Sequence, residues 1–478
     1  MLKQARNFLF LYSTQIFINS VSFLFNFILG KTLTPENFGM FRYILGIGPL
    51  ALSIASFGID VKSIQDTAEE KLEIDRIISD MLPFKFISIL LILLFMITIL
   101  SFGTYGSRGY LVAVILGLGL WLQDIINVGN SVFKGLQHMG KVSLIQLSQR
   151  IGEMSFTMVV IFIGIPSVSN ISIGYVTGDL IAVIVTFGLL RKYFKNIQLK
   201  ISNSLILFRK ASPYYVANIF NFLNLASISI ILDLAAKNSQ KQQGLYQSAY
   251  LFASVAMMTE LTLSLVVFPA MISKYSKERQ NYLETTNNYL LIFILAAIFF
   301  STALYMFPKE AVILFLNNKY IEAVPIIKIL GISLIFSFFF EIPAWHLTVS
   351  GHQIERTRVI VFTSIVTPFF TFFLVRNLGG IGAGLSVLLN FICQWILYTV
   401  YAYKCGWRFR PTKRFYMIFL VTCVTFLSTY LARNQHLIIW AFVLCSSYFG
   451  SILILKPIPT EMMVGALLPN SFLESKAR

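Results

Sequence analysis

Arg191–Lys210 reads RKYFKNIQLKISNSLILFRK. It holds Arg191, Lys192, Lys195, Lys200, Arg209 and Lys210 and no acidic residue, and long apolar runs lie on both sides of it. A basic stretch between apolar runs of bilayer-spanning length reads as a cytoplasmic hinge between two membrane half-domains. Its simplest role is connection and orientation; contact with anionic lipid headgroups is the other role its charge allows.

The composition agrees. Of 478 residues, 56% are hydrophobic and 12% charged, with 45 Phe. Soluble chains carry about 25% charged residues, so this is a polytopic membrane chain. The formal net charge of +17 does not indicate nucleic acid, because the Lys and Arg sit in short loops between apolar segments. Cys393, Cys405, Cys423 and Cys445 fit no zinc, haem or redox spacing and imply no disulfide framework. Lys3 and Arg6 precede an apolar run too long for a signal-peptide core, so that run is read as the first span.

Fourteen spans of about 20 residues are expected. They cover 8–29, 40–59, 83–102, 110–133, 142–165, 171–190, 211–236, 245–272, 289–307, 326–350, 359–375, 381–403, 415–432 and 437–455. With the N-terminus inside, the outer loops hold only Lys31, Arg108, Lys237, Lys241, Lys309, Lys319, Arg376 and Arg433. The inside-to-outside bias is roughly three to one, which puts both termini in the cytoplasm. The expected organisation is a six-helix lobe (1–190), a basic linker (191–210), a second six-helix lobe (211–403), two added helices (404–456) and a cytoplasmic tail (457–478). The polar interval Asp60–Asp80 has a weak helical period and is read as a short amphipathic helix on the inner face.

The halves start alike. Leu33-Thr34-Pro35-Glu36-Asn37-Phe38-Gly39 leads into an aromatic-rich helix, as does Gln243-Gly244-Leu245-Tyr246 with Ala249-Tyr250. Gly135–Lys141 and Val349–Arg356 lead into spans five and eleven in the same way. Six spans precede the hinge, so the repeats are parallel, related by an axis along the membrane normal. These motifs, with Phe268-Pro269, Tyr320…Ala323…Pro325 and Gly379-Gly380-Ile381-Gly382-Ala383-Gly384, resemble the polysaccharide-lipid flippases of the multidrug/oligosaccharidyl-lipid/polysaccharide exporter superfamily. The resemblance covers nearly the whole chain. It implies two six-helix lobes plus two C-terminal helices, alternating access to a central cavity, and a substrate of sugars on a polyprenyl diphosphate.

Nothing suggests an enzyme. Gly380–Gly384 has no βαβ unit around it and reads as a close helix approach, and the four His show no metal-ligand spacing. No cofactor is expected. The informative residues are ionisable groups inside spans, each costing about 2.5–3.5 kcal/mol at a helix centre. They are Arg42, Asp124, Arg150, Glu153, Asp179, Asp233, Glu260, Lys328 and Glu341. Arg150 and Glu153 are three apart and can neutralise each other. Asp233 and Lys328, near span ends, can snorkel, and so can Arg42, one turn into its span. Asp124, Asp179 and Glu260 lie deeper, where hydrogen bonding between helices is the plainer role. A flippase needs cations to replace water around a diphosphate, for which Arg42, Arg150 and Lys328 are the candidates. It also needs a carboxylate to bind a coupling H+ or Na+, for which Asp124, Asp179 and Glu260 are the candidates.

The sequence therefore points to a flippase moving lipid-linked oligosaccharide to the outer leaflet of the cell membrane for surface polysaccharide assembly. Membrane lipid, and a polysaccharide polymerase or glycosyltransferase, are its expected partners; nucleic acid is not. An ion-coupled drug/cation antiporter of the same superfamily is the alternative. That branch has twelve spans and an acidic first span, whereas 8–29 has no charge and two further spans follow the second lobe. A non-transporting scaffold would have no use for the buried charges.

Overall fold

Backbone polar groups cannot be left open in hydrocarbon, so a chain this apolar satisfies them within helices. The computed structural model is built that way. It describes residues 2–69, 74–194, 201–277, 279–409, 411, 413–432 and 437–455. In chain order the helices are α1 Leu2–Thr32, α2 Pro35–Ser56, α3 Ile59–Ala68, α4 Ile74–Ser101, α5 Gly106–Gly135, α6 Met139–Phe162, α7 Val168–Leu190 and α8 Ile201–Ala235. They continue with α9 Ser239–Lys277, α10 Arg279–Met306, α11 Pro308–Phe315, α12 Val324–Val349, α13 Gln353–Leu378, α14 Gly380–Lys404, α15 Lys413–Leu431 and α16 Leu437–Leu455.

Each of the fourteen expected spans falls on one of these helices, with α3 and α11 as short extra pieces. Among the described residues ten helices are long and apolar enough to cross a membrane, or eleven if the bent pair Asn218–Asn224 and Ala226–Ala235 counts as one span. The chain is an all-α polytopic membrane protein. The basic stretch is partly helical: Arg191–Tyr193 is a 3₁₀ turn and α8 begins at Ile201, ten residues before the expected span. Residues 195–200 and the tail 457–478 lie outside the described residues. The expected amphipathic helix is α3; it ends at Ala68, and the interval from Ile74 belongs to α4.

The chain divides into two compact units, Met1–Gln247 with Thr371–Gly379, and Ser248–Phe370 with Gly380–Arg478. In the first unit, glycines set the helix spacing. A Cβ on Gly152 would press on the Gly178 backbone, and one on Gly178 would meet the Gln149 carbonyl. Without a hydrophobic drive between helices in lipid, such backbone approach is what holds α6 to α7. The paired signature glycines meet too: a Cβ on Gly39 would fall on the Gly244 backbone, and one on Gly244 on the Pro35 carbonyl. Thr34 caps α2, its hydroxyl accepting from the Asn37 N–H, with Pro35 in the first turn.

In the second unit, Phe293, Leu334, Phe338 and Ile342 are buried at the centre of a core to which Tyr398 and Tyr448 also belong. Gly384 of the expected glycine motif lies against Ile326, bringing α14 close to α12. Tyr320 and Ala323 are buried ahead of α12, and Pro325 starts its first turn. The added helices attach at α10, where the Tyr448 hydroxyl donates to the Leu295 carbonyl at 2.8 Å, and just beyond it, where Trp440 packs on Phe307.

Candidate functional site

In the first unit, two of the predicted cations stand in the same polar interior. Arg42 projects from the second turn of α2, half-buried, and donates through Nη1 to Asn26 Oδ1 of α1 at 3.2 Å. Arg150 lies on α6 and pairs with Glu153 at 2.6 Å; Glu153 is 2% exposed while Arg150 keeps 32%. Both guanidinium groups lie within electrostatic reach of the Tyr175 hydroxyl of α7, as do Glu153 and Asp179. Phe41 packs edge-on to the Tyr175 ring at 5.1 Å. Asp179 is buried and accepts from Gln149 Nε2 at 2.7 Å. α1, α2, α6 and α7 thus bring Arg42, Arg150, Glu153, Tyr175 and Asp179 together. Chemically this is a cation-bearing polar cluster with donors to spare on Arg150, which spends one nitrogen on Glu153 while a guanidinium offers five N–H donors.

Asp124 stands elsewhere in the same unit. It is fully buried on α5, and its Oδ1 lies 2.6 Å from Lys85 Nζ of α4. Lys85, 1% exposed, also reaches Asp60 Oδ1 of α3 at 2.7 Å. Trp121 supports the junction, its indole N–H donating to the Lys85 carbonyl at 2.7 Å. Asp233 closes another corner at the far end of α8. Its Oδ1 accepts from Thr104 at 3.0 Å and from Ser239 at 3.3 Å, next to Gly103.

The second unit holds Glu260, Glu341 and Lys328. Glu260 of α9 accepts from the Ser337 hydroxyl at 2.5 Å, and Glu341 of α12 accepts from Ser264 at 2.7 Å. Each pair sits one turn beyond the other on the same two helices, so the carboxylates alternate with hydroxyls across the α9–α12 contact. Trp345 Nε1 adds a 3.0 Å bond to Glu341, and the Arg356 guanidinium lies over the Trp345 ring at 4.2 Å. Lys328 stands over the Tyr305 ring at 5.4 Å. The structure therefore groups Arg42 with Arg150 and Asp179, and assigns Lys328 and Glu260 to the other unit.

Several contributors escaped the sequence reading. Lys85 lies two residues into the third expected span, and its position there is the signal that could have found it. Its partners Asp60 and Asp124 are 25 and 39 residues away, too far for a local pattern. Tyr175 and Gln149 are uncharged and carry no such signal. Arg356 looks like an ordinary inner-loop arginine until its ring contact is seen. Among the described residues no group of three or more His, Cys, Asp and Glu could hold a metal ion.

Comparisons with known proteins fit this architecture. Residues 4–276 match the family model described as "Polysaccharide biosynthesis protein". An uncharacterised membrane protein of Methanocaldococcus jannaschii is 21% identical over 420 residues, covering 81% of this chain and 95% of the relative. The structure of lipid II flippase MurJ in an inward closed conformation superposes with a TM-score of 0.75 at 14% identity, covering 95% of this chain and 98% of that one. An inward-facing multidrug resistance MATE family transporter superposes with a TM-score of 0.66 at 14% identity, covering 80% of this chain and 94% of that one. At such identities these likenesses speak to the fold.

Proposed function

The chain belongs to the polysaccharide biosynthesis protein family, and we propose that it carries polyprenyl-diphosphate-linked oligosaccharide from the cytoplasmic to the outer leaflet by alternating access. The observation that carries this reading is that Arg42 and Arg150 both act electrostatically on Tyr175 in the interior of the first unit. A diphosphate leaving water needs charge-assisted donors in place of its hydration shell, and guanidinium forks match phosphate oxygens bidentately. Arg42 and Arg150 take the diphosphate; Asn26 and Glu153 hold the two guanidinium groups in place. Lys328, over the Tyr305 ring, is the candidate cation of the second unit. One of the deep carboxylates Asp124, Asp179 or Glu260 is the group through which an ion gradient acts on the cycle, and of these Asp124 is already engaged by Lys85. The basic segments then face the cytoplasm, as their bias requires.

The extent of the likeness supports a flippase over a drug antiporter: the lipid II flippase covers 95% of this chain and the multidrug transporter 80%. The test is reconstitution into liposomes holding a fluorescent polyprenyl-diphosphate oligosaccharide, with outer-leaflet access scored over time. Protein-dependent transfer is expected. Extrusion of a cationic dye against an imposed gradient, without lipid transfer, would refute the reading.

A further inference from the structure

We propose that the Asp60–Lys85–Asp124 triad of the first unit is a proton-binding site that couples protonation to the docking of α3 on α4 and α5. Two carboxylates share one ammonium, at 2.7 and 2.6 Å. With all three ionised the triad carries one negative charge in excess, at a position where Lys85 and Asp124 are sealed from solvent. Separated charge is expensive there, and an excess charge opposed only weakly by Lys134 is more so. One proton brings the triad to neutrality.

Two further observations point to the same ligand. Asp124 Oδ2 is buried with no hydrogen-bond partner among the described residues, so the inner carboxylate is not fully satisfied by Lys85 alone. Asp60, with 22% of its side chain exposed, is the member of the triad that solvent reaches. It is the entry point and the residue on which the proton rests, while Lys85 stays paired with Asp124. Burial raises the Asp60 carboxyl above the usual carboxylate range; Lys85 opposes this, the Asp124 charge adds to it, and Lys134 opposes it more weakly. Among the described residues, the charged and titratable groups of α3 and its neighbours also include Lys62 and Asp66, which pair with each other at 2.6 Å, Glu69, which accepts from Gln65 at 2.9 Å, Asp80, buried on α4, and Tyr215 of α8, which stands against Phe57.

The fold gives α3 the means to move as a unit. Phe57 and Gly58, between α2 and α3, both adopt left-handed backbone angles, φ 50° and 72°. A non-glycine residue there costs of order 1 kcal/mol, so the break is held by the docking it permits. The far end of α3 rests on Gly135, where an added Cβ would strike Thr67 and the Ile64 carbonyl. α3 is thus fastened at one end by charge and at the other by close packing.

The sign follows from linkage. A carboxyl raised in the docked state binds its proton more tightly there than when released, so docking is complete at low pH and weakens as pH rises through the raised value. The experiment is amide hydrogen exchange of residues 60–69 in the intact protein in lipid nanodiscs, corrected for the chemical pH dependence of exchange. It needs no substrate, so its outcome is independent of the transport reading. In the wild type the opening equilibrium of α3 is expected to rise with pH, by up to about tenfold per pH unit for one linked proton. Asp60→Asn is expected to be protected and flat with pH. Asp124→Asn, which removes the excess charge while keeping Lys85 and Asp60, is expected to move the transition to lower pH. A flat wild type, a persisting transition in Asp60→Asn, or an unmoved one in Asp124→Asn would each overturn the proposal.

Discussion

The two units handle buried charge differently. In the first, Lys85 is met by Asp60 and Asp124, and Arg150 by Glu153, so these charges are compensated by opposite charge across α3, α4, α5 and α6, while Asp179 and Asp233 rest on amide and hydroxyl donors. In the second, Glu260 and Glu341 face each other's helices through Ser337, Ser264 and Trp345, so hydroxyl and indole donors do most of the work. Ion pairs lose heavily when one partner goes, because the survivor is left charged and buried. Hydroxyl-to-carboxylate bonds lose less, since an amide in place of the carboxylate still accepts. Lys85 and Arg150 of the first unit are therefore the charges whose single removal costs most.

The sharpest way to break this contrast is Lys85→Met. It strands two carboxylates and is expected to cost about 3–5 kcal/mol, read as a lowered midpoint in denaturation from mixed micelles. Restoring neutrality with Asp60→Asn and Asp124→Asn in the same chain should recover most of the loss; a single variant as stable as the wild type would erase the distinction between the units. Next in size is Gly244→Ala, whose added methyl meets the Pro35 carbonyl. Moving that backbone is expected to cost about 1–3 kcal/mol, and the same denaturation series would show it. Glu341→Gln should cost no more than about 1 kcal/mol, because Ser264 and Trp345 keep an acceptor. A loss there as large as that for Lys85→Met would mean the second unit also depends on paired charge, with Arg356 as the partner. Arg42→Ala should change stability least of all, because the half-buried Arg42 reaches the neutral Asn26 and water can take its place, while still slowing transport.

How much of this was legible follows from where the information lies. Helix-forming spans are written locally, as runs of apolar residues of membrane length, and each expected span coincides with a helix. The Arg150–Glu153 pair was legible for the same reason: three residues apart on a helix, they share a face. The repeat glycines Gly39 and Gly244 were legible as a pattern, but their direct contact was not, since a shared motif does not say that its two copies touch. Lys85 and Asp124 lie 39 residues apart on different spans, and only the packing of α4 on α5 brings them within a hydrogen bond. Asp124 alone reads as a lone deep carboxylate, open to an ion; with Lys85 in view it is half of a charge pair.

The decisive experiment replaces both Arg42 and Arg150 by alanine and measures the transfer rate of polyprenyl-diphosphate oligosaccharide in liposomes, beside the wild type and at matched folded protein. Protein-dependent transfer by the wild type is expected, with a rate at least roughly tenfold lower in the double variant, about 1.4 kcal/mol or more of lost diphosphate binding. Equal rates would contradict the role given to the two arginines, and no transfer by the wild type would contradict the flippase itself.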